Sequence, residues 1–228
     1  ILTNEYYYIM QKALPLKLRP SLKRHDFIIG GSNKEAIRWI DKYPNWKQEG
    51  LIIIGPKLSG KSHLVSVLQL KSNMQLKNAD DINLEKIDIL NLSSLIIENI
   101  HSIYNYNFLL HIINRLKENK HKIILTTSVS INKMKIKLPD LKSRLLTLPQ
   151  TEILLPTDDV LIGIALKLSK DKGLFLSELV LKYIITRVER SYSSINKLIS
   201  KLDEIALEKK KKITVPFVKE IIDAENLK

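Results

Sequence analysis

Two kinds of apolar pattern share the first two-thirds of this chain, and only one of them fills the last third. Short continuous runs rich in β-branched residues predict buried strands at Leu51–Ile54, Leu92–Ile97, Lys122–Leu125 and, shorter, Glu152–Leu155. Met74–Leu76 is a weak strand candidate in an otherwise polar stretch, 71–92. Between the strands the apolar residues recur at helical spacing. Ala36, Ile37, Trp39 and Ile40 mark a helix over Lys34–Tyr43, with Ser32 or Asn33 as its expected cap and Pro44-Asn45 as its end. Phe108, Leu109, Ile112, Ile113 and Leu116 form one face of a helix over Asn107–Glu118, and Pro139 opens a short helix to Leu145. From Pro156 the pattern is helical throughout. Segments Val160–Leu168, Ser177–Glu189, Ser194–Leu207 and a last one opened by Thr214-Val215-Pro216 each carry a periodic apolar face. Alternating strands and helices predict an α/β domain with a parallel sheet, followed by a smaller all-helical one. The expected divisions are an extended arm over 1–25, the α/β domain over 26–155 and the helical domain over 156–228.

Chemistry enters where the Leu51–Ile54 strand gives way to Gly55-Pro56-Lys57-Leu58-Ser59-Gly60-Lys61-Ser62. This is the phosphate-loop pattern G-x-x-x-x-G-K-[ST], in the strand–loop–helix setting that gives the pattern its meaning. Gly55 and Gly60 let the backbone turn its N–H groups toward a polyphosphate, and the helix from Lys61, expected to run to about Leu70, aims its positive end at the same anion. Lys61 is expected on the β- and γ-oxygens and Ser62 on Mg²⁺. The competing reading is a chance match in a turn rich in Gly and Lys.

The Leu92–Ile97 strand ends in Glu98-Asn99. In phosphate-loop nucleotidases such a strand delivers an acid to Mg²⁺ beside a group that positions the attacking water. Glu98 stands at the metal position; Asn99 stands where a carboxylate base is expected, and an amide accepts no proton at neutral pH. Nucleotide binding is therefore expected without independent hydrolysis. Thr126-Thr127-Ser128 is a polar cluster at the C-terminal end of another strand, where open α/β sheets meet their ligands, and Thr127 joins the candidate set.

The N-terminal segment Gln11-Lys12-Ala13-Leu14-Pro15-Leu16-Lys17-Leu18-Arg19-Pro20 has two prolines and no helical period. Its leucines suit a peptide that docks in another protein's groove, or they pack on their own domain. Met10 is a candidate translation start. Cysteine is absent, which removes disulfides, thiol nucleophiles and cysteine-based zinc sites and fits a reducing, cytoplasmic setting. No apolar run approaches the ~18 residues of a membrane span. A net charge of +13 suits a polyanionic partner, but lysine is spread along the chain and the run Lys209–Lys212 lies at an expected helix end. Solvated lysine explains the charge as well as a DNA-binding face does.

Taken together these residues resemble the AAA+ module of the DnaA replication initiators, and most closely the short regulatory homologues of the Hda type. The match runs over nearly the whole chain from Gln11. It rests on Phe27-Ile28-Ile29-Gly30-Gly31-Ser32-Asn33 with Ala36, on Gly55 to Ser62 with His63-Leu64, on Pro139 to Leu145, and on Ile213 to Ile221. The resemblance implies a AAA+ phosphate-loop domain with a helical lid, holding ADP or ATP with Mg. Ile28, Ile29 and Asn33 then fall on the adenine side, and Gly55, Pro56, Lys57, Gly60, Lys61, Ser62 and His63 fall at the phosphates. It implies that Gln11, Leu14, Pro15 and Leu16 bind the DNA polymerase sliding clamp, and that Arg144 is an arginine finger reaching a nucleotide on a neighbouring subunit; the alternative for Arg144 is a surface or ion-paired arginine. There are departures. Leu58 and Ser59 replace part of the glycine run, Ser128 replaces a sensor aspartate, and Ser193 falls at the lid sensor arginine, with Arg187 and Arg190 one or two turns earlier. Neither the single-strand-binding insertion nor the helix-turn-helix domain of the initiators is found in this sequence, so contact with DNA is expected to be indirect or weak.

The leading expectation is a clamp-tethered regulator that promotes hydrolysis of DnaA-bound ATP and so restrains replication initiation, with a homodimer left open. The alternative is an autonomous small AAA+ ATPase of the loader type, acting on DNA or a helicase. A third reading keeps the fold without nucleotide.

Overall fold

The computed structural model describes residues 28–209 and 211–225. The expected arm 1–25, with Gln11, Leu14, Pro15 and Leu16, lies outside the described residues, as do Phe27 and Lys210. The described residues divide into two compact units, 28–160 and 161–225; the division falls inside a helix, a little beyond the boundary expected at Pro156.

In the first unit the order is α1 Lys34–Lys42, β1 Gly50–Ile54, α2 Lys61–Lys71, β2 Gln75–Asn78, α3 Ala79–Asn83, β3 Leu95–Glu98, α4 Tyr106–Glu118, β4 Ile123–Thr127, α5 Pro139–Thr147 and β5 Gln150–Glu152. Among the described residues the strands form one sheet in the order β2-β3-β4-β1-β5, with every pair parallel. Pairing of Ile54 with Thr127 and of Ile97 with Leu125 brings the ends of β1, β3 and β4 to one edge, where the phosphate-loop residues begin.

Strand side chains alternate between two cores, as a sheet covered on both faces requires. Leu51 and Ile53 join Ile96, Ile124 and Ile153 against Ala36, Ile37 and Ile40 of α1 and Leu64, Val65 and Leu68 of α2. Ile52 joins Leu95, Ile97, Ile123 and Leu125 against Ile112 and Leu116 of α4 and Leu141 and Leu145 of α5. Burial of each large aliphatic side chain contributes about 1.5–3 kcal/mol, so the run Leu51–Ile53, fully buried on both faces, fixes the strand that carries the loop.

The second unit contains α7 Glu178–Arg187, α8 Tyr192–Lys209 and α9 Val215–Ala224, after α6 Asp158–Asp171, which begins in the first unit. Both α7 and α8 pack on α9. Val180, Leu181, Ile184 and Ile185 on α7, and Ile195, Leu198, Ile199 and Leu202 on α8, are buried at helical spacing, as are Phe217, Val218, Ile221 and Ile222 on α9. The Ser177 hydroxyl accepts the Val180 N–H at the start of α7, and Pro216 sits in the first turn of α9.

Some local expectations shift. β3 covers Leu95–Glu98 rather than Leu92–Ile97, because Leu92 is buried from the loop ahead of the strand. β5 covers Gln150–Glu152 rather than Glu152–Leu155; Leu154 and Leu155 are exposed beyond its end. α3 was not expected. A capping box makes it, with the Asn78 side chain accepting from the Asp81 N–H and the Asp81 carboxylate accepting from the Asn78 N–H. Asn33 occupies the cap position of α1 without capping it by its side chain, which is turned the other way.

Candidate functional site

The loop between β1 and α2 is shaped by close approach and by two left-handed residues. A Cβ at Gly55 would lie 2.4 Å from the Ile153 carbonyl oxygen and 2.7 Å from Ser59 Oγ, so only glycine fits there. Gly60 has φ 100° and Leu58 φ 68°. A leucine in the left-handed region carries strain on the order of 1–2 kcal/mol, concentrated where the backbone would turn its N–H groups toward an anion. Pro56 and Lys57 are exposed at the loop's crest, and His63 is half-buried in the first turn of α2.

Lys61 is only 7% exposed. Its Nζ donates to the carbonyls of Gly55 (2.7 Å) and Pro56 (2.8 Å). Burial pulls its pKa below the ordinary lysine value, and the Glu98 carboxylate acts in the opposite direction. The ammonium is thus folded onto its own loop, in surroundings that favour an added negative charge. Ser59 Oγ is buried beside it with no hydrogen-bond partner among the described residues.

Ser62, at the start of α2, donates from Oγ to Glu98 Oε1 at 2.7 Å. Residues 36 positions apart thereby place a hydroxyl and a carboxylate together, two hard oxygen donors of the kind Mg²⁺ takes alongside phosphate oxygens and water. Among the described residues no cluster of three His, Asp or Glu forms a metal site without a ligand's help. The donor set therefore fits a metal shared with a bound phosphate.

Asn99 follows Glu98 in the left-handed conformation, φ 61°, with its side chain exposed and its N–H donated to Thr126 Oγ1 (3.1 Å). Thr127 is fully buried. Its hydroxyl donates to the Val129 carbonyl (2.8 Å) and accepts the Val129 N–H (3.0 Å), so the structure turns it into its own loop and away from the sheet edge. The Ser128 N–H donates to His101 Nδ1 at 3.3 Å. His101, in the turn Ile100–Ser102 after β3, has its pKa held below the ordinary imidazole value, by burial first and by the Lys61 charge second. Sequence reasoning passed over His101, since nothing local announces a contact spanning 27 residues.

Asn33 is 7% exposed; its Oδ1 accepts the Gly30 N–H (3.0 Å) and its Nδ2 donates to the Ile28 carbonyl (2.9 Å). It ties the segment 28–33 into a loop that leaves Ile28 half-buried and Ile29 exposed. Its role here is to shape that segment, and it brings Ile28 and Ile29 together with itself.

Arg144 lies elsewhere. It lines a cleft of about 620 Å³ with Lys47, Glu49, Lys117 and Asp140, at the end of the sheet where β1 and β5 begin. β1 alone spans about 16 Å at ~3.3 Å per residue, so the loop after its last residue is well out of reach of this side chain. Arg144 is exposed, and among the described residues its guanidinium has no carboxylate partner. In the second unit Ser193 is exposed on α8, and Arg187 is exposed with its guanidinium 5.8 Å from the centre of the Tyr183 ring.

Comparison with known proteins adds the family context. Residues 164–222 match the family model of the Hda lid domain. An uncharacterised protein of Haemophilus influenzae is 27% identical over 191 residues, 78% of this chain and 83% of that protein. Among solved structures, domain III of the Thermotoga maritima replication initiation protein DnaA superposes with a TM-score of 0.75 at 18% identity, over 90% of this chain and 97% of that one. AMPPCP-bound DnaA from Aquifex aeolicus superposes with a TM-score of 0.70 at 20% identity, over 82% and 66%. Residues 164–222 are thus similar to an Hda-type lid, and the chain shares the parallel-sheet fold of the DnaA module.

Proposed function

We propose that this chain is a regulator of replication initiation that binds ADP or ATP in its own phosphate loop and acts through Arg144 on ATP held by a DnaA-type domain. The single observation that carries the reading is the placement of its two basic centres at opposite ends of the sheet. Lys61 is buried among the loop's own carbonyls, while Arg144 is exposed beside an open cleft without a carboxylate to hold it.

Within its own site, Lys61 exchanges the Gly55 and Pro56 carbonyls for phosphate oxygens when nucleotide enters, and the N-terminus of α2 adds its dipole. Ser62 and Glu98 would hold Mg²⁺, which neutralises phosphate charge when bound. Asn99 cannot take a proton from water, so the chain turns over little ATP alone. Arg144 supplies a fixed positive charge to phosphoryl oxygens across a subunit boundary, the contribution an arginine finger makes when provided in trans. Gln11, Leu14, Pro15 and Leu16 tether the regulator to the sliding clamp, which places it on DNA with only indirect DNA contact. The relatedness to DnaA and Hda supports the partner; the AMPPCP bound by the Aquifex aeolicus protein supports the nucleotide.

The test is hydrolysis of DnaA-bound ATP in the presence of DNA-loaded clamp. Wild type should accelerate it, and Leu14→Ala with Leu16→Ala should abolish the clamp dependence. No acceleration by wild type would end the reading.

A further inference from the structure

Two oppositely charged segments are tied to the loop that leads into α4, one on each side. From the end of α3, Asn83 Oδ1 accepts the N–H groups of Tyr104 (2.9 Å) and Asn105 (3.3 Å), and its Nδ2 donates to the Ser102 carbonyl (3.2 Å). Asn105 Nδ2 donates to Glu85 Oε1 at 2.8 Å, and Glu85 sits in the left-handed region at φ 53°. From the other side, the Lys135 carbonyl accepts Tyr106 Oη at 3.4 Å.

These polar groups are spent on fixing backbone, and the apolar side chains beside them are left in water. Leu84 is 56% and Tyr104 70% exposed, on the two segments that Asn83 joins. Leu90 is exposed as well, in a turn closed by Asp88, whose carboxylate accepts the Leu90 N–H and the Asn91 amide; Ile87 and Leu92 around it are buried. Apolar groups pinned outward in this way mark an interaction surface.

The charges around them are sorted. Segment 79–91 carries four carboxylates against one lysine in a chain of net charge +13, and Asp80, Glu85 and Asp88 are exposed. Beyond Tyr106, the exposed Lys133, Lys135 and Lys137 alternate with Met134, Ile136 and Leu138, which pack on the core. The backbone is extended at Met134 and at Leu138, and the alternation puts Lys135 and Lys137 on one side of the segment with Lys133 just before them. Among the described residues none of these carboxylates has a cationic partner, and none of these three lysines has an anionic one.

We propose that this face binds a second copy of the chain about a two-fold axis at Tyr104. A surface acidic on one side of an aromatic centre and basic on the other is complementary to itself. The two-fold sets each acidic segment on the other copy's lysines, and Leu84 and Tyr104 meet their own counterparts. A nucleic acid, or a partner of one charge sign, would meet like charge on one half of the face. The pairing rests neither on the nucleotide nor on Arg144.

The experiment is sedimentation equilibrium of the full chain at low salt. Wild type is compared with Tyr104→Ser, with a basic-side reversal (Lys133→Glu, Lys135→Glu, Lys137→Glu) and with an acidic-side reversal (Asp80→Lys, Glu85→Gln, Asp88→Asn), which keeps an acceptor wherever one is in use. Wild type should dimerise with a dissociation constant in the micromolar range, weakening as salt is added. Tyr104→Ser should weaken the dimer about 100-fold, because a central aromatic is lost twice across the axis. Each reversal should be monomeric alone, and the two mixed should pair again. A monomeric wild type would overturn the proposal, and so leave the face to a different protein. A dimer untouched by Tyr104→Ser would overturn it too, even if a reversal failed to fold. Folded reversals that stay apart when mixed would contradict the self-complementary pairing.

Discussion

The two ends of the parallel sheet treat positive charge in opposite ways. At the end where β1 stops, the ammonium of Lys61 is buried, held by two carbonyls at 2.7 and 2.8 Å and favoured by the Glu98 charge, with strained backbone around it. At the end where β1 starts, Arg144 stands exposed beside an open cleft whose nearer ion pair, Lys117 with Glu49 at 3.0 Å, leaves it out. A charge satisfied internally can be recruited only by a ligand that offers more than the loop does, as the proposed polyphosphate would. A charge left unsatisfied on the surface is available to another molecule. On the proposed reading, the difference separates the nucleotide this chain would keep from the one it would act upon.

The sharpest way to break that comparison is at Lys61. Lys61→Ala removes several charge-assisted bonds to phosphate and should lower ADP affinity about 100-fold, whereas Arg144→Ala should leave it within about twofold. Calorimetry on both variants checks this. A large loss with Arg144→Ala would mean the two ends are not independent.

A smaller effect is expected from Gly55→Ala. Its Cβ would drive into the Ile153 carbonyl and Ser59 Oγ, spreading β1 from the chain after β5. The cost should be about 1–3 kcal/mol of stability, read as a lowered midpoint in urea, with ADP binding weakened in the same variant. Glu98→Gln keeps an acceptor for Ser62 while removing the negative charge. It should cut the Mg²⁺ enhancement of nucleotide affinity by about tenfold, and binding without Mg²⁺ should hardly change.

The smallest effect is on pH dependence. With the folded pKa of His101 below its unfolded value, the unfolded chain binds more protons in the window just below pH 6.5. Stability from this group is present above that window and is lost as pH falls through it. His101→Gln should therefore show a shallower decline in melting temperature between pH 7.5 and 5.5 than wild type, measured by thermal scanning.

Much of this was legible in the sequence wherever chemistry and periodicity agree over short range. The phosphate loop follows a strand whose three residues Leu51–Ile53 are buried on both faces, and the helices of the second unit show the apolar spacing that their burial confirms. What stayed hidden depends on contacts across sequence. α3, five residues long, is too short for a period, and only the Asn78–Asp81 pair hinted at it. β2 is half-exposed at the sheet edge, so its pattern is weak. Thr127 and Asn33 carry the side chains expected of ligand contacts, but both spend them on nearby backbone, a choice set by loop geometry. The His101–Ser128 bond exists because parallel pairing of β3 with β4 aligns their ends.

The most direct test of the central claim is single-turnover hydrolysis of labelled ATP already bound to DnaA, with DNA-loaded clamp and either wild type or Arg144→Ala. The account predicts that Arg144→Ala loses about 1,000-fold of the acceleration or all of it, while it still binds ADP and clamp as wild type does. Acceleration by Arg144→Ala equal to that of wild type would contradict it.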